Sequence, residues 1–141
     1  MSEDAASQSK ARPVIFLIEE DDDARPSLTS NLRRNGYRVL VAADLEDARE
    51  WVSVEGGIHA HLVLVNLVRK TPEEALRLGR ELREQAKYDG ETPLVVMAEK
   101  VPAELEGRDI NVGGNDWVCY FGDDSDQLQT LLARLLNKSS S

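Results

Sequence analysis

The sequence predicts an α/β domain built around a parallel sheet, and three observations carry that reading. Short continuous apolar runs recur at residues 14–18, 39–42, 62–65, 94–97 and 117–121. Runs of four or five residues rich in β-branched side chains fit strands covered on both faces, as in a parallel sheet. Between them lie stretches with helical spacing and with residues that start and stop helices. Strand and helix thus alternate five times, which gives parallel strands joined by right-handed crossovers.

Each element has a local reason. The first run is followed at once by Glu19, Glu20, Asp21, Asp22 and Asp23. A first helix is expected over residues 26–35, with Pro26 in its first turn, Leu28 and Leu32 four apart, and Gly36 as its stop. Asp22 or Asp23 is its candidate cap. Asp44 caps a second helix that carries Ala48, Trp51 and Val52 and closes at Gly56 and Gly57. Thr71, Pro72, Glu73 and Glu74 open a long third helix, with Leu76, Leu78, Leu82 and Ala86 inward and its Arg and Glu residues in water. A weaker fourth helix is expected from Val101 and Pro102, interrupted by Gly107 and ended by Gly113 and Gly114. Ser125 caps a fifth, whose inward face is Leu128, Leu131, Leu132, Leu135 and Leu136.

Length and composition set the class. The chain has 141 residues, of which 41% are hydrophobic and 30% charged, so one core can form without a disulfide or metal staple. Residues 1–12 read as a disordered leader, 13–137 as the domain and 138–141 as a disordered tail. No stretch approaches the ~20 apolar residues of a membrane span. The net charge of −9 argues against binding nucleic acid through its phosphates. A lone cysteine, Cys119, precludes an internal disulfide and fits a cytoplasmic protein.

In a parallel sheet the functional crevice lies at the carboxyl ends of the strands. The ends to inspect are Glu19 and Glu20, Ala43, Asn66, Ala98 and Tyr120. Five successive carboxylates repel one another unless a cation or a helix N-terminus offsets them. They read either as a divalent-metal site or as an acidic surface loop leading into a helix. No G-x-G-x-x-G or G-K-[ST] follows any strand, so a phosphate-cradling loop is missing and no enzymatic activity is expected.

An apolar strand, an acidic cluster, Arg25 and Leu28, then Gly36 and Tyr37, resemble the opening of the receiver domains of bacterial response regulators. The resemblance continues through residues 43–48, 61–67, 93–98 and 113–118, and covers residues 13–136. It implies a flavodoxin-like (βα)5 fold, doubly wound, with a five-stranded parallel sheet in the order 2-1-3-4-5. It also implies phosphoryl transfer from a histidine kinase to an aspartate ending strand three, with Mg²⁺ held by an acidic pair after strand one. A hydroxyl ending strand four and a lysine ending strand five would contact the phosphoryl oxygens.

This chain departs from that pattern at its centre. The acidic pair falls on Glu19 and Glu20, the phosphoacceptor position on Asn66, the hydroxyl position on Ala98 and the lysine position on Tyr120. Arg69 and Lys70 stand where a Met-Pro pair is usual, and Phe121 replaces the proline after the lysine. An amide with a delocalised lone pair cannot form the acyl phosphate. Mg²⁺ needs near-octahedral oxygen geometry, so Glu19 and Glu20 are expected to bind it weakly if at all, and no other cofactor is expected. Asp21, Asp22, Asp23 and Asp44 are the remaining aspartates near the pocket mouth. The first three are expected to point away from it, and Asp44 to cap a helix.

Other residues have plainer readings. His59 and His61 share one side of an extended chain, but no third metal ligand is near and they precede the strand. Trp117 holds the place of an aromatic switch; it is either an anchor for a partner or packs against residues 101–112. Cys119 reads as an inert buried thiol. The expectation is a degenerate receiver that binds a protein partner, a signalling protein or output domain, without phosphorylation. Its contact surface is expected around the last two helices and Trp117. The alternative is a receiver that still answers to a metal or small ligand in its acidic crevice, or is phosphorylated at a non-standard aspartate.

Overall fold

The computed structural model describes residues 12–54, 57–88, 91–98, 102–122 and 126–140. The strands are β1 (Val14–Glu19), β2 (Arg38–Ala42), β3 (Leu62–Asn66), β4 (Leu94–Ala98), β5 (Asp109–Gly113) and β6 (Asp116–Tyr120). The helices are α1 (Arg25–Arg34), α2 (Leu45–Ser53), α3 (Pro72–Gln85) and α4 (Gln127–Ser140). All six strands form one sheet in the order β2-β1-β3-β4-β6-β5. The five apolar runs supply β1, β2, β3, β4 and β6, which pair in parallel in the expected order.

Alternation along each strand splits the core into two layers. Phe16, Ile18, Val63, Val65 and Val96 pack under α2 and α3, against Ala48, Val52, Leu76 and Leu82. Ile15, Leu17, Leu62, Leu64 and Val95 pack under α1 and α4, against Leu32, Leu131, Leu132 and Leu135. Both faces of the central strands are therefore dry, which is why they read as unbroken apolar runs.

The caps explain the helix starts. Asp44 accepts from the Asp47 N–H at 2.8 Å, and Thr71 forms a reciprocal capping box with Glu74 at the head of α3. At α1 the expected cap fails. The N-cap is Ala24, with no side-chain bond, and it is Asp21 Oδ1 that accepts from the N–H groups of Asp23 and Ala24, at 2.9 and 3.4 Å. Ala86, expected inward on α3, is its half-buried C-cap residue. Helix α4 runs on to Ser140, past the boundary expected at residue 137. Gly56, Val101, Ser125 and residues 1–11 lie outside the described residues.

One element is corrected. Where a fourth helix was expected, residues 103–107 turn and β5 runs antiparallel to β6, so the sheet is six-stranded and mixed. Gly114 and Asn115 form the hairpin turn after Gly113, the last residue of β5, with Gly113 and Gly114 at φ +125° and +53°, and Asn111 brackets it by accepting from the Gly113 N–H and donating to the Gly114 carbonyl. Of the glycines that looked like a helix stop, Gly113 ends β5 and Gly114 opens the turn, and Asp109–Gly113 is a short edge strand whose last residues are exposed.

The hairpin is tied down from α3. Asp116, 4% exposed, accepts from Arg80 Nε at 2.6 Å and from Arg83 at 2.6 and 3.3 Å. Arg83 also donates to the Thr92 carbonyl, and Arg80 to the Val112 carbonyl in β5. A buried carboxylate is tolerated only when paired in this way.

Candidate functional site

Strand register assembles the crevice. Glu19 pairs with Asn66 across β1 and β3, and Ala98 pairs with Tyr120 across β4 and β6. All four are brought to one edge of the sheet, at the carboxyl ends of the parallel strands.

Within it, the two glutamates part company. Glu19 is fully buried, and Asn66 Nδ2 donates to its Oε2 at 2.8 Å and its Oε1 at 3.1 Å. The Asp21 N–H donates to the same Oε2 at 3.1 Å. Glu20, partly exposed, instead accepts from the Val68 N–H at 2.9 Å, at the turn after β3. Removing an ionised carboxylate from water costs several kcal/mol unless donors replace the solvent. Here the Asn66 amide and a backbone N–H are such donors.

In this arrangement hydrogen-bond donors meet the Glu19 carboxylate. Mg²⁺ needs oxygen ligands in octahedral geometry. At Glu19 the amide turns its N–H groups, not its oxygen, toward the carboxylate, and Glu20 is drawn away to Val68. Among the described residues, no three His, Cys, Asp or Glu side chains gather where they could hold a metal ion.

The acidic loop has its own structural work. Arg25, which the sequence reading did not place, donates from Nε to the Glu19 carbonyl at 2.9 Å and from Nη2 to Asp22 at 2.6 Å. Asp21 and Asp44 hold backbone N–H groups, as above. The signal for Arg25 was its place one turn past the acidic run, within reach of it.

Beside Asn66 a cleft of about 480 Å³ opens between β3, β4 and the head of α3, reaching Ala98. Arg69 and Lys70, which stand where a Met-Pro pair is usual, line it. Arg69 takes a left-handed backbone, φ 59°. Tyr120 packs its ring against the α2/α3 layer.

Trp117 faces the other layer, with the Arg134 guanidinium 5.1 Å above its ring. Its buried Nε1 has no hydrogen-bond partner. Its cross-strand neighbour in β5 is Asn111. Cys119 is buried, and its thiol is pushed well above the usual range, first by burial and then by the charge and hydrogen bond of Asp109. His61 lies at the opposite end of the strands, where its Nδ1 accepts from the Val14 N–H at 2.9 Å.

No family model matches the chain, and no curated protein matches it in sequence. Solved structures do match in fold. A response regulator receiver protein from Sinorhizobium medicae WSM419 superposes with a TM-score of 0.66 at 21% identity, over 89% of this chain and 95% of that one. A two-component response regulator from Clostridium difficile gives 0.65 at 18% identity, over 92% and 100%. The receiver domain of a sensor histidine kinase from Pseudomonas aeruginosa PAO1, solved with magnesium in its active-site cleft, gives 0.61 at 20% identity, over 89% and 98%. The chain has the α/β fold of response-regulator receiver domains, with the antiparallel edge strand β5 where the sequence led us to expect a helix.

Proposed function

We propose that this chain is an atypical receiver module of two-component-type signalling that acts by binding a protein partner, without phosphorylation. The observation that carries the reading is the buried Asn66–Glu19 pair: the position that would be phosphorylated holds an amide, and that amide is hydrogen-bonded to the carboxylate that would help hold a metal. Ala98 offers no hydroxyl and Tyr120 no cation for a phosphoryl group. The three changes agree with one another, since a pocket without a nucleophile needs neither donor. In this reading the chain is not an enzyme, works in the cytoplasm, and meets a signalling protein or an output domain. Because β5 stands where a helix was expected before α4, the contact is assigned to the β5–β6 hairpin, Trp117 of β6 included.

The test is incubation with acetyl phosphate and Mg²⁺, followed by intact-mass measurement, with an amide-correlation NMR titration by Mg²⁺ and then beryllofluoride. The expected result is no added phosphoryl group and no movement of the Glu20, Asn66 or Tyr120 amides. A phosphoaspartate at any position, or saturable shifts at those amides with both reagents, overturns the reading.

A further inference from the structure

At the amino ends of the strands, opposite the Asn66 crevice, a second cleft of about 620 Å³ is lined by three arginines and two histidines. Among the described residues no acidic side chain lines it, although the chain carries a net charge of −9. Arg12, Arg33 and Arg38 form no ion pair among the described residues, as is also true of Arg34, Arg69, Arg108 and Arg134; what sets the first three apart is that they line one cleft. Like charges crowded without counter-charges raise the local potential and attract an anion.

Register explains how the cleft forms. Val14 pairs with Arg38 on one side, and on the other His61 holds both ends of its peptide, the Val14 N–H donating to Nδ1 and the His61 N–H to the Val14 carbonyl. In parallel strands such neighbours project to the same face, about 4.8 Å apart per strand. The short Val14 therefore lies between the longer Arg38 and His61, and Arg12, two residues before Val14, falls on the same side.

The donors are set for an anion. Because Nδ1 of His61 accepts a hydrogen bond, the ring proton resides on Nε2, which leaves an N–H free to donate. Arg33 is anchored by an Nη2 bond to the Val39 carbonyl at 3.3 Å, with N–H groups to spare. Burial raises the Tyr37 hydroxyl above its ordinary pKa of 10.0, so it remains a donor at neutral pH. Guanidinium forks match phosphate oxygens in pairs. The neighbouring apolar surface is Val14 and Leu40, the latter left 39% exposed, on the same face of the sheet as Arg38 and His61.

We propose that this cleft binds a phosphate-bearing organic anion of nucleotide size, its phosphate on Arg12, Arg38 and His61 and its apolar body on Val14 and Leu40. The volume suits such a ligand. The proposal is independent of the fate of Asn66.

The test is calorimetry and NMR titration of the full chain at fixed ionic strength with adenosine monophosphate, inorganic phosphate and adenosine. The expected result is saturable binding of the monophosphate, tighter than either fragment, with shifts at Val14, Arg38, Leu40 and His61. Arg38→Glu and Arg12→Glu should each weaken it at least about tenfold, the loss of one charge-assisted fork. Arg34→Glu, an exposed arginine outside the cleft, should weaken it less than about threefold. Far-UV circular dichroism confirms that each variant is folded. Absence of saturation at about 10 mM, well above useful affinities, overturns the proposal. So does equal binding of inorganic phosphate, or an Arg34→Glu loss as large as that of Arg38→Glu.

Discussion

The Asn66 amide donates to both carboxylate oxygens of Glu19, at 3.1 and 2.8 Å, with both residues buried at the end of adjacent strands. A neutral donor thus meets the charge that a cation meets in a metal-binding crevice. Substituting Asn66→Asp replaces the amide donor with a second carboxylate at hydrogen-bonding distance. We expect a loss of about 3 kcal/mol in urea unfolding without metal, the cost of an uncompensated buried charge. Added Mg²⁺ should restore part of that loss in the variant and leave the parent chain unchanged. Equal stability of the two chains in chelator would show that the amide is not what balances Glu19.

Asp116 joins α3 to the hairpin through Arg80 and Arg83. Asp116→Ala leaves Arg83, whose side chain is 15% exposed, without its carboxylate, and should cost about 3 kcal/mol. Amide exchange should rise most at the β5–β6 hairpin, and Arg83→Ala in the same background should add less than it does alone. Unchanged exchange in β5 would mean that the sheet, not the ion pairs, holds the hairpin.

Gly79 sets two effects against each other. Glycine inside a helix is disfavoured by about 1 kcal/mol against alanine, so Gly79→Ala should stabilise α3 by propensity alone. A Cβ there would lie 2.8 Å from Cδ1 and 3.1 Å from Cδ2 of Leu94, which is fully buried and would have to shift within the core. Overpacking costs about 1–3 kcal/mol. We expect the clash to win, with net destabilisation of about 1 kcal/mol in thermal or urea unfolding. A more stable variant would show that the α3–β4 interface is loose enough to absorb a methyl group.

Tyr88 gives the alkaline limb of stability. Its hydroxyl donates to the Ile58 carbonyl, and burial pushes its pKa from 10.0 up to about 12. The unfolded chain loses this proton first. The contribution is therefore complete below pH 10.0 and falls away as the pH rises toward about 12. Unfolding free energies between pH 10 and about 12 should decline less steeply in Tyr88→Phe than in the parent chain. Identical slopes would remove Tyr88 as the cause.

The strands, the two capped helices and the order of the sheet were legible because their signals are local. An unbroken apolar run needs no partner to be read, and Asp44 and Thr71 bond to N–H groups three residues away. The same local logic misread residues 109–113. Gly113 and Gly114 suit a helix stop and a hairpin turn equally well, and the strand they close is fixed by pairing with β6 and by Arg80 from α3. The identities of Glu19, Glu20, Asn66, Ala98 and Tyr120 also placed the crevice, since strand ends follow from strand positions.

Tertiary contact decided what those residues touch. Nothing nearby in sequence tells Glu19 from Glu20, yet one is buried against an amide 47 residues away and the other turns to the Val68 N–H. The same separation joins Val14 to His61 and gathers the basic cleft at the opposite end. A sequence fixes such pairs only through the register of strands that are already folded, because a hydrogen bond reaches about 3 Å while the chain between its partners spans the whole domain.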